Sequence, residues 1–255
     1  MTQGIFDKAV LHGLIVGFGV GVNDLQCEIH NMRMTGSVDT PTHYYRRSIP
    51  IDHSAVMTNS AYTLGKIHIP DVHKVGAFLK ACDDDQVHIR QIGNMLSLKC
   101  GDNQFSTPTS DYIMSAQTLD RANVAIEDAK KNMWTKLGRA ELQVHGTFEM
   151  DDARGLDSMT KVAGKDAPVR IHLKDDEMTI TAGSKRGARM SREVFVDTPD
   201  GTDCETVFGP HIPKLLNLMP AGPTALHMGD KSALVFSNNE TDALLILKHQ
   251  EGVDQ

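Results

Sequence analysis

The sequence predicts an α+β protein made of two similar halves, each with a pair of short helices packed on antiparallel sheets. Three observations predict it. One pattern recurs along the chain: an amphipathic helix, an acidic or polar turn, a strand, a tight turn and a second strand. Strand-like alternation covers more of the chain than helical periodicity does. Hydrophobic residues make up 40% of the 255 positions, enough for packed cores.

The clearest copy is DVHKVGAFLKACDDDQVHIRQIGNMLSLKCGDNQF, residues 71–105. DDARGLDSMTKVAGKDAPVRIHLKDDEMTITA (151–182) and GPHIPKLLNLMPAGPTALHMGDKSALVFSNNETDALLILKH (209–249) repeat its order. A blurred copy occupies 6–50.

Taken in order, 5–14 reads as a weak first helix. Strands follow at 24–35 and 43–51, with GSVDTP as the turn between them and 52–65 as loop. Pro70 and a capping Asp71 open a helix over 71–81, which puts Val72, Val75, Phe78, Leu79 and Cys82 on one side. The runs 87–92 and 95–100 form a hairpin about Gly93–Asn94. Residues 106–120 are Ser/Thr-rich and read as extended or looped. ANVAIEDAKKNMWTKLG (122–138) reads as a helix that packs through Val124, Ile126, Met133 and Leu137 and stops at Gly138.

In the second half Asp151 and Asp152 open a helix to about 163. A hairpin follows at VRIHL and MTITA, then the strand MSREVFVD, the turn TPDGTD, and a short helix over 210–219 with Pro213 in its first turn. TALHM, ALVF and ALLILKH close the chain as strands. The domain limits expected are 1–110 and 146–255, joined by a helical connector over 111–145.

A net charge of −7 excludes a generally basic nucleic-acid coat but leaves room for a basic face. No apolar run has membrane-spanning length. The opening segment lacks a basic start and a small-residue cleavage site, so it does not read as a signal peptide. The four cysteines (Cys27, Cys82, Cys100, Cys204) are dispersed, as expected for free thiols in a reducing cytoplasm.

Charge is segregated. Arg154, Ser158, Lys161 and Lys165 follow helical spacing. Lys74, Ala77 and Lys80 share a face beside His73. Lys214 joins His211 and Asn217, and Lys8 lies one turn from His12. Acidic residues gather in turns instead: Asp83–Asp85, Asp175–Glu177, and Asp197, Asp200 and Asp203. Scattered cations on helix faces suit sequence-independent phosphate contact, while lysines on any one surface helix equally suit solvation alone.

With these segments quoted, the chain resembles the sliding clamps of DNA replication, most closely the phage-type clamps and more distantly proliferating cell nuclear antigen. IPDVHKVGAFLKACDDDQVHIRQIGNMLSL, FEMDDARGLDSMTKVAGKDAPVRIHLKDDEMTITAG and the C-terminal segment carry the resemblance. It covers most of the chain and departs from the family over 106–145, where a helix is added. It implies the DNA clamp fold and a non-enzymatic tether that holds a polymerase by raising its effective concentration. It also implies a homotrimeric ring of six domains around duplex DNA, and a clamp loader. DNA contact would fall to Lys8, His12, Lys74, Lys80, Arg154, Lys161, Lys165 and Lys214. Partners of such clamps insert a peptide into an apolar pocket, for which Met34, Ile113, Phe236 and Leu247 are the candidates; the core is the competing assignment for each. The rival within the fold is a monomeric double-stranded DNA-binding protein acting in phage replication or transcription.

Other chemistries are weaker. GLIVGFGVGVND offers Gly13, Gly17, Gly19 and Gly21, but a dinucleotide fingerprint needs a strand before the glycines and a helix after them, the reverse of the expected order. Cys27 with His30, and His68 with His73, lack a second pair at zinc-site spacing. DDDQVHI lacks the alternating oxygen ligands of a calcium loop. No cofactor, metal or catalytic residue is expected.

Overall fold

The structure is a computed structural model that describes residues 1–19, 23, 25–51, 65–109, 113–183, 187–198 and 203–249, with backbone alone at 113–118, 157 and 160. It divides into two compact units: Met1–Asp39 with Arg46–Leu119, and Thr40–Tyr45 with Asp120–Gln255.

In unit 1, strand β1 (Thr2–Asp7) leads into helix α1 (Lys8–Phe18). The Asp7 carboxylate caps α1, accepting from Val10 N at 2.9 Å. Leu11, Leu14, Ile15 and Phe18 form its buried stripe. The expected helix at 5–14 is therefore shifted: Phe6 belongs to a strand, and α1 runs on through Gly13 and Gly17. Strands β2 (Leu25–His30), β3 (Arg33–Asp39), β4 (His43–Pro50, whose start to Tyr45 falls in unit 2) and β5 (Gly65–Ile69) follow. The single strand expected at 24–35 is two. Asn31 (φ 48°) and Met32 (φ 57°) make a two-residue reversal between them. GSVDTP is likewise mostly strand. The turn falls at Thr40–Thr42, where Thr40 N donates to His43 O at 2.8 Å.

Helix α2 (Val72–Ala81) is capped by Asp71, which accepts from Lys74 N at 2.9 Å. It buries Val72, Val75, Gly76 and Leu79. Gly76 faces α1, where a Cβ would lie 3.5 Å from Val16, an ordinary contact distance. Strands β6 (Gln86–Ile92), β7 (Met95–Cys100) and β8 (Asn103–Pro108) complete the unit.

Helix α3 (Ile113–Lys131) starts where extended or looped chain was expected and stops before Gly138. Positive φ at Met133 and Trp134 reverses the chain, and Trp134 N bonds to Ala129 O at 2.7 Å. Of the expected packing residues Ile126 is buried, whereas Val124 and Met133 are 63% and 79% exposed. A small hairpin, β9 (Lys136–Leu137) and β10 (Ala140–Glu141), follows.

Unit 2 repeats the order of unit 1. β11 (Val144–Glu149) leads through a 3-10 turn (Met150–Ala153) to α4 (Asp157–Ala163). Then come β12 (Val169–Lys174), β13 (Glu177–Gly183), β14 (Arg189–Phe195) and β15 (Asp203–Phe208). Helix α5 (Ile212–Leu216), β16 (Pro223–Met228), β17 (Leu234–Asn238) and β18 (Ala243–Leu247) close the unit. The helix expected over 151–163 is broken at Arg154–Gly155, where Gly155 has φ 71°.

Each unit is thus two β-α-β-β-β motifs that exchange their first strands. β1 pairs with β6 in the order β1-β6-β7-β8, and β5 pairs with β2. Likewise β11 pairs with β16, and β15 with β12 in the order β14-β13-β12-β15. Helices cover the sheets: α1 packs on β1, β3 and α2, and α4 on β13, β14 and α5. No described helix is long and apolar enough to cross a membrane.

Candidate nucleic-acid interface

The outward sides of the helices differ in charge. On α1 they are Ala9, Val10, Gly13 and Val16, with no exposed cation. Lys8 turns inward, and its Nζ donates to Cys82 O at 2.8 Å, at the end of α2. His12 is half-buried. On α2 His73, Lys74 and Lys80 are exposed. Lys74 pairs with Asp71 at 3.0 Å, its side chain 75% exposed. The backbone N–H of Lys74, then its ammonium, hold the Asp71 carboxyl below the usual range. Such an exposed pair is weak and can yield its cation to a phosphate.

In unit 2 the expected 154–165 stripe separates. Arg154 precedes α4 and Lys165 follows it; Ser158 and Lys161 sit on the helix, exposed. The Arg154 guanidinium bonds Asp151 (3.2 Å) and the carbonyl of Met219, just beyond α5, while Arg192 donates to Arg154 O. Gly155 N also donates to Asn217 Oδ1 at 3.0 Å. Arg154 therefore fastens the two helical segments together. Lys214 on α5 is exposed beside His211. The eight expected contact residues thus fall into exposed cations (Lys74, Lys80, Lys161, Lys165, Lys214), two cations tied to helix ends (Lys8, Arg154) and half-buried His12. Among the described residues Lys80, Lys161, Lys165 and Lys214 have no hydrogen-bonded or ionic partner.

The pocket candidates lie in cores. Met34, Phe236 and Leu247 are each 0% exposed, and Phe236 packs edge-to-face on Phe148 with centroids 5.7 Å apart. Ile113 opens α3, and its side chain is outside the described set. Of the glycine-rich stretch, Gly13 and Gly17 are helical, Gly19 ends α1 by donating to Val16 O at 3.0 Å, and Gly21 lies outside the described residues. Burial pushes the Cys27 thiol far up, so it is a poor thiolate ligand. Of the third acidic cluster, Asp200 is outside the described residues.

Two sheet edges escaped the sequence reading. β8 ends one sheet of unit 1 and β14 ends one sheet of unit 2. β14 is exposed at every position but Val194, including Phe195 at 68% and Met190 at 37%. A strand with polar and apolar residues on both faces, opened by Arg189 and carrying Arg192 at its centre, has the sequence mark of an edge.

No protein-family model matches the sequence, and no curated protein does. Solved structures do match in shape. A protein described as a DNA polymerase III beta subunit from Eubacterium rectale superposes with a TM-score of 0.72 at 13% identity, over 98% of this chain and 65% of that one. The polymerase III beta of Caulobacter crescentus gives 0.68 at 13% identity, over 98% and 66%. The DNA polymerase sliding clamp of Pseudomonas aeruginosa gives 0.67 at 12%, over 98% and 67%. The chain spans about two thirds of the length of these proteins. Throughout its described length, the chain has the sliding-clamp fold.

Proposed function

We propose that the chain is a DNA polymerase sliding clamp: a ring that encloses duplex DNA and tethers a replicative polymerase, placed there by a loader. The observation that carries this reading is the fourfold β-α-β-β-β repeat in the shape shared with sliding clamps, its helices bearing exposed lysines on α2, α4 and α5. A tether must hold the duplex without reading bases, so a few mobile ammonium groups aimed at phosphates suffice. Lys74, Lys80, Lys161, Lys165 and Lys214 take that role. Lys8 and Arg154 support the helices instead. We assign domain limits near 1–110 and 146–255, with α3 and its hairpin as connector.

We further propose a trimer closed through β8 and β14. Inside unit 2 the outer side of β18 is taken by the segment Thr40–Tyr45, with Lys248 N donating to Thr42 O at 2.9 Å. β8 holds the place of β18 in its own unit, and β14 that of β4 in the motif order. A head-to-tail contact of β8 with β14 of the next copy repeats a pairing the chain already makes; its two edges are different surfaces, and a rotation of one third of a turn per copy closes it as a ring of three.

Light scattering on the purified protein tests the assembly. A mass near three times 28.0 kDa supports the ring. Retention on nicked circular DNA, lost when the circle is cut, supports enclosure. A 28.0 kDa species that binds linear and circular duplex alike replaces the ring with the monomeric DNA-binding reading.

A further inference from the structure

The strongest feature outside the helix faces is a pair of histidines in unit 2. His145 on β11 and His227 on β16 are directly opposite in the antiparallel register. Their Nδ1 atoms are 2.8 Å apart, and the rings meet at 65° with centroids separated by 5.1 Å. Trp134, at the reversal after α3, stacks on His227 at 5.3 Å and 17°. That stack fixes the plane of the His227 ring. Both histidines are half-buried, so they are reachable from solvent.

We propose that His145 and His227 form a binding site for a divalent transition ion of the copper–zinc class. Imidazole nitrogen is the preferred donor for these ions. At a metal–nitrogen distance of about 2.0–2.1 Å and a tetrahedral angle, two nitrogens stand about 3.3 Å apart. The pair needs to open by about half an ångström to reach that span, a small rotation of two side chains.

In the metal-free pair one Nδ1 donates to the other. On binding, that proton moves through solvent to the Nε2 of the same ring, and both Nδ1 lone pairs turn to the ion. Among the described residues no third His, Cys, Asp or Glu closes on the pair, so water fills the remaining positions. That makes the site exchangeable rather than structural. Occupied, it clips the edge strand β11 to β16 beside the connector. The separation in sequence hid the pair, since neither residue has a ligand-spaced neighbour.

Trp134 is the chain's only tryptophan and lies against the site, so it reports occupancy directly. Copper(II) titrated into untagged protein at neutral pH is expected to quench Trp134 fluorescence saturably at one equivalent. EDTA is expected to withdraw the ion and restore the signal. His145→Gln and His227→Gln are each expected to weaken quenching by at least about tenfold, and His211→Gln to leave it unchanged. Electron paramagnetic resonance on the wild-type copper form should show two imidazole nitrogens, a readout that needs no variant. Quenching that does not saturate, that survives both glutamine variants, or that disappears with His211→Gln overturns the proposal. None of these readouts involves DNA or assembly, so the site stands or falls apart from the clamp reading.

Discussion

Lys8 Nζ donates to the carbonyl of Cys82 at 2.8 Å, bringing a charge from the first turn of α1 onto the last turn of α2. Arg154 does the corresponding work in the second unit, reaching the carbonyl of Met219 beyond α5. Both cations complement the negative end of a helix and satisfy an orphan carbonyl. Lys8→Met is therefore expected to lower stability by about 1 kcal/mol, with duplex affinity unchanged. Urea denaturation and a DNA-binding titration of the same variant check it. A loss of affinity with unaltered stability would return Lys8 to the DNA face.

Lys161→Glu and Lys74→Glu are expected to behave in the opposite way. Their side chains are exposed, so folding is nearly unaffected. Each should weaken duplex association and reduce the slope of log K against log salt by about one. Titrations at several salt concentrations measure both quantities.

Met190→Asp places a charge on the open edge β14, where Met190 is 37% exposed. Assembly is expected to fall to a 28.0 kDa monomer with unchanged circular dichroism. A persistent trimer in light scattering would remove β14 from the contact.

Leu156→Asp buries an unpaired carboxylate where the native side chain is 2% exposed. A loss of about 3 kcal/mol or more in unit 2 is expected, visible as hydrogen exchange of β12–β14 at early times. Gly229→Ala should cost about 1–3 kcal/mol by overpacking, because its new methyl meets the carbonyl of Glu141.

His43 and His227 are both held at about 4, by burial first and then by Lys248 and His211 for the former and His145 for the latter. Their neutral forms are favoured by folding, so the unfolded chain binds more protons between pH 6.5 and 4. Stability is thus full above about 6.5 and declines as pH falls through that window. Urea midpoints at pH 7 and pH 4.5 should differ, and the difference should shrink in His227→Gln.

The fourfold motif was legible in sequence because alternation and helix caps are local: Asp71, Gly93 and the run Val87–Ile92 each sit where pattern alone puts them. The breaks were not. Asn31–Met32 turns the chain with both residues at positive φ although neither is glycine, so no dipeptide signal marks it. Residues 113–120 carry no strong helical stripe, yet α3 runs through them. The exposed lysines of the candidate interface could be read from spacing, but the inward turn of Lys8 and Arg154 could not, since each meets a carbonyl more than 60 residues away. His145 and His227 come together only through the β11–β16 register, which no local pattern encodes.

The exchange of first strands has a consequence for synthesis. Thr2 finds its backbone partner in Gln91, and Leu25 its partner in Ile69, so the opening ribbon leaves the ribosome long before the segment that shelters it has been made. Neither half of a unit can finish alone. A nascent chain arrested before β6 would present a bare, pairing-competent border to whatever else is in the cell, and chaperone demand should peak at that length.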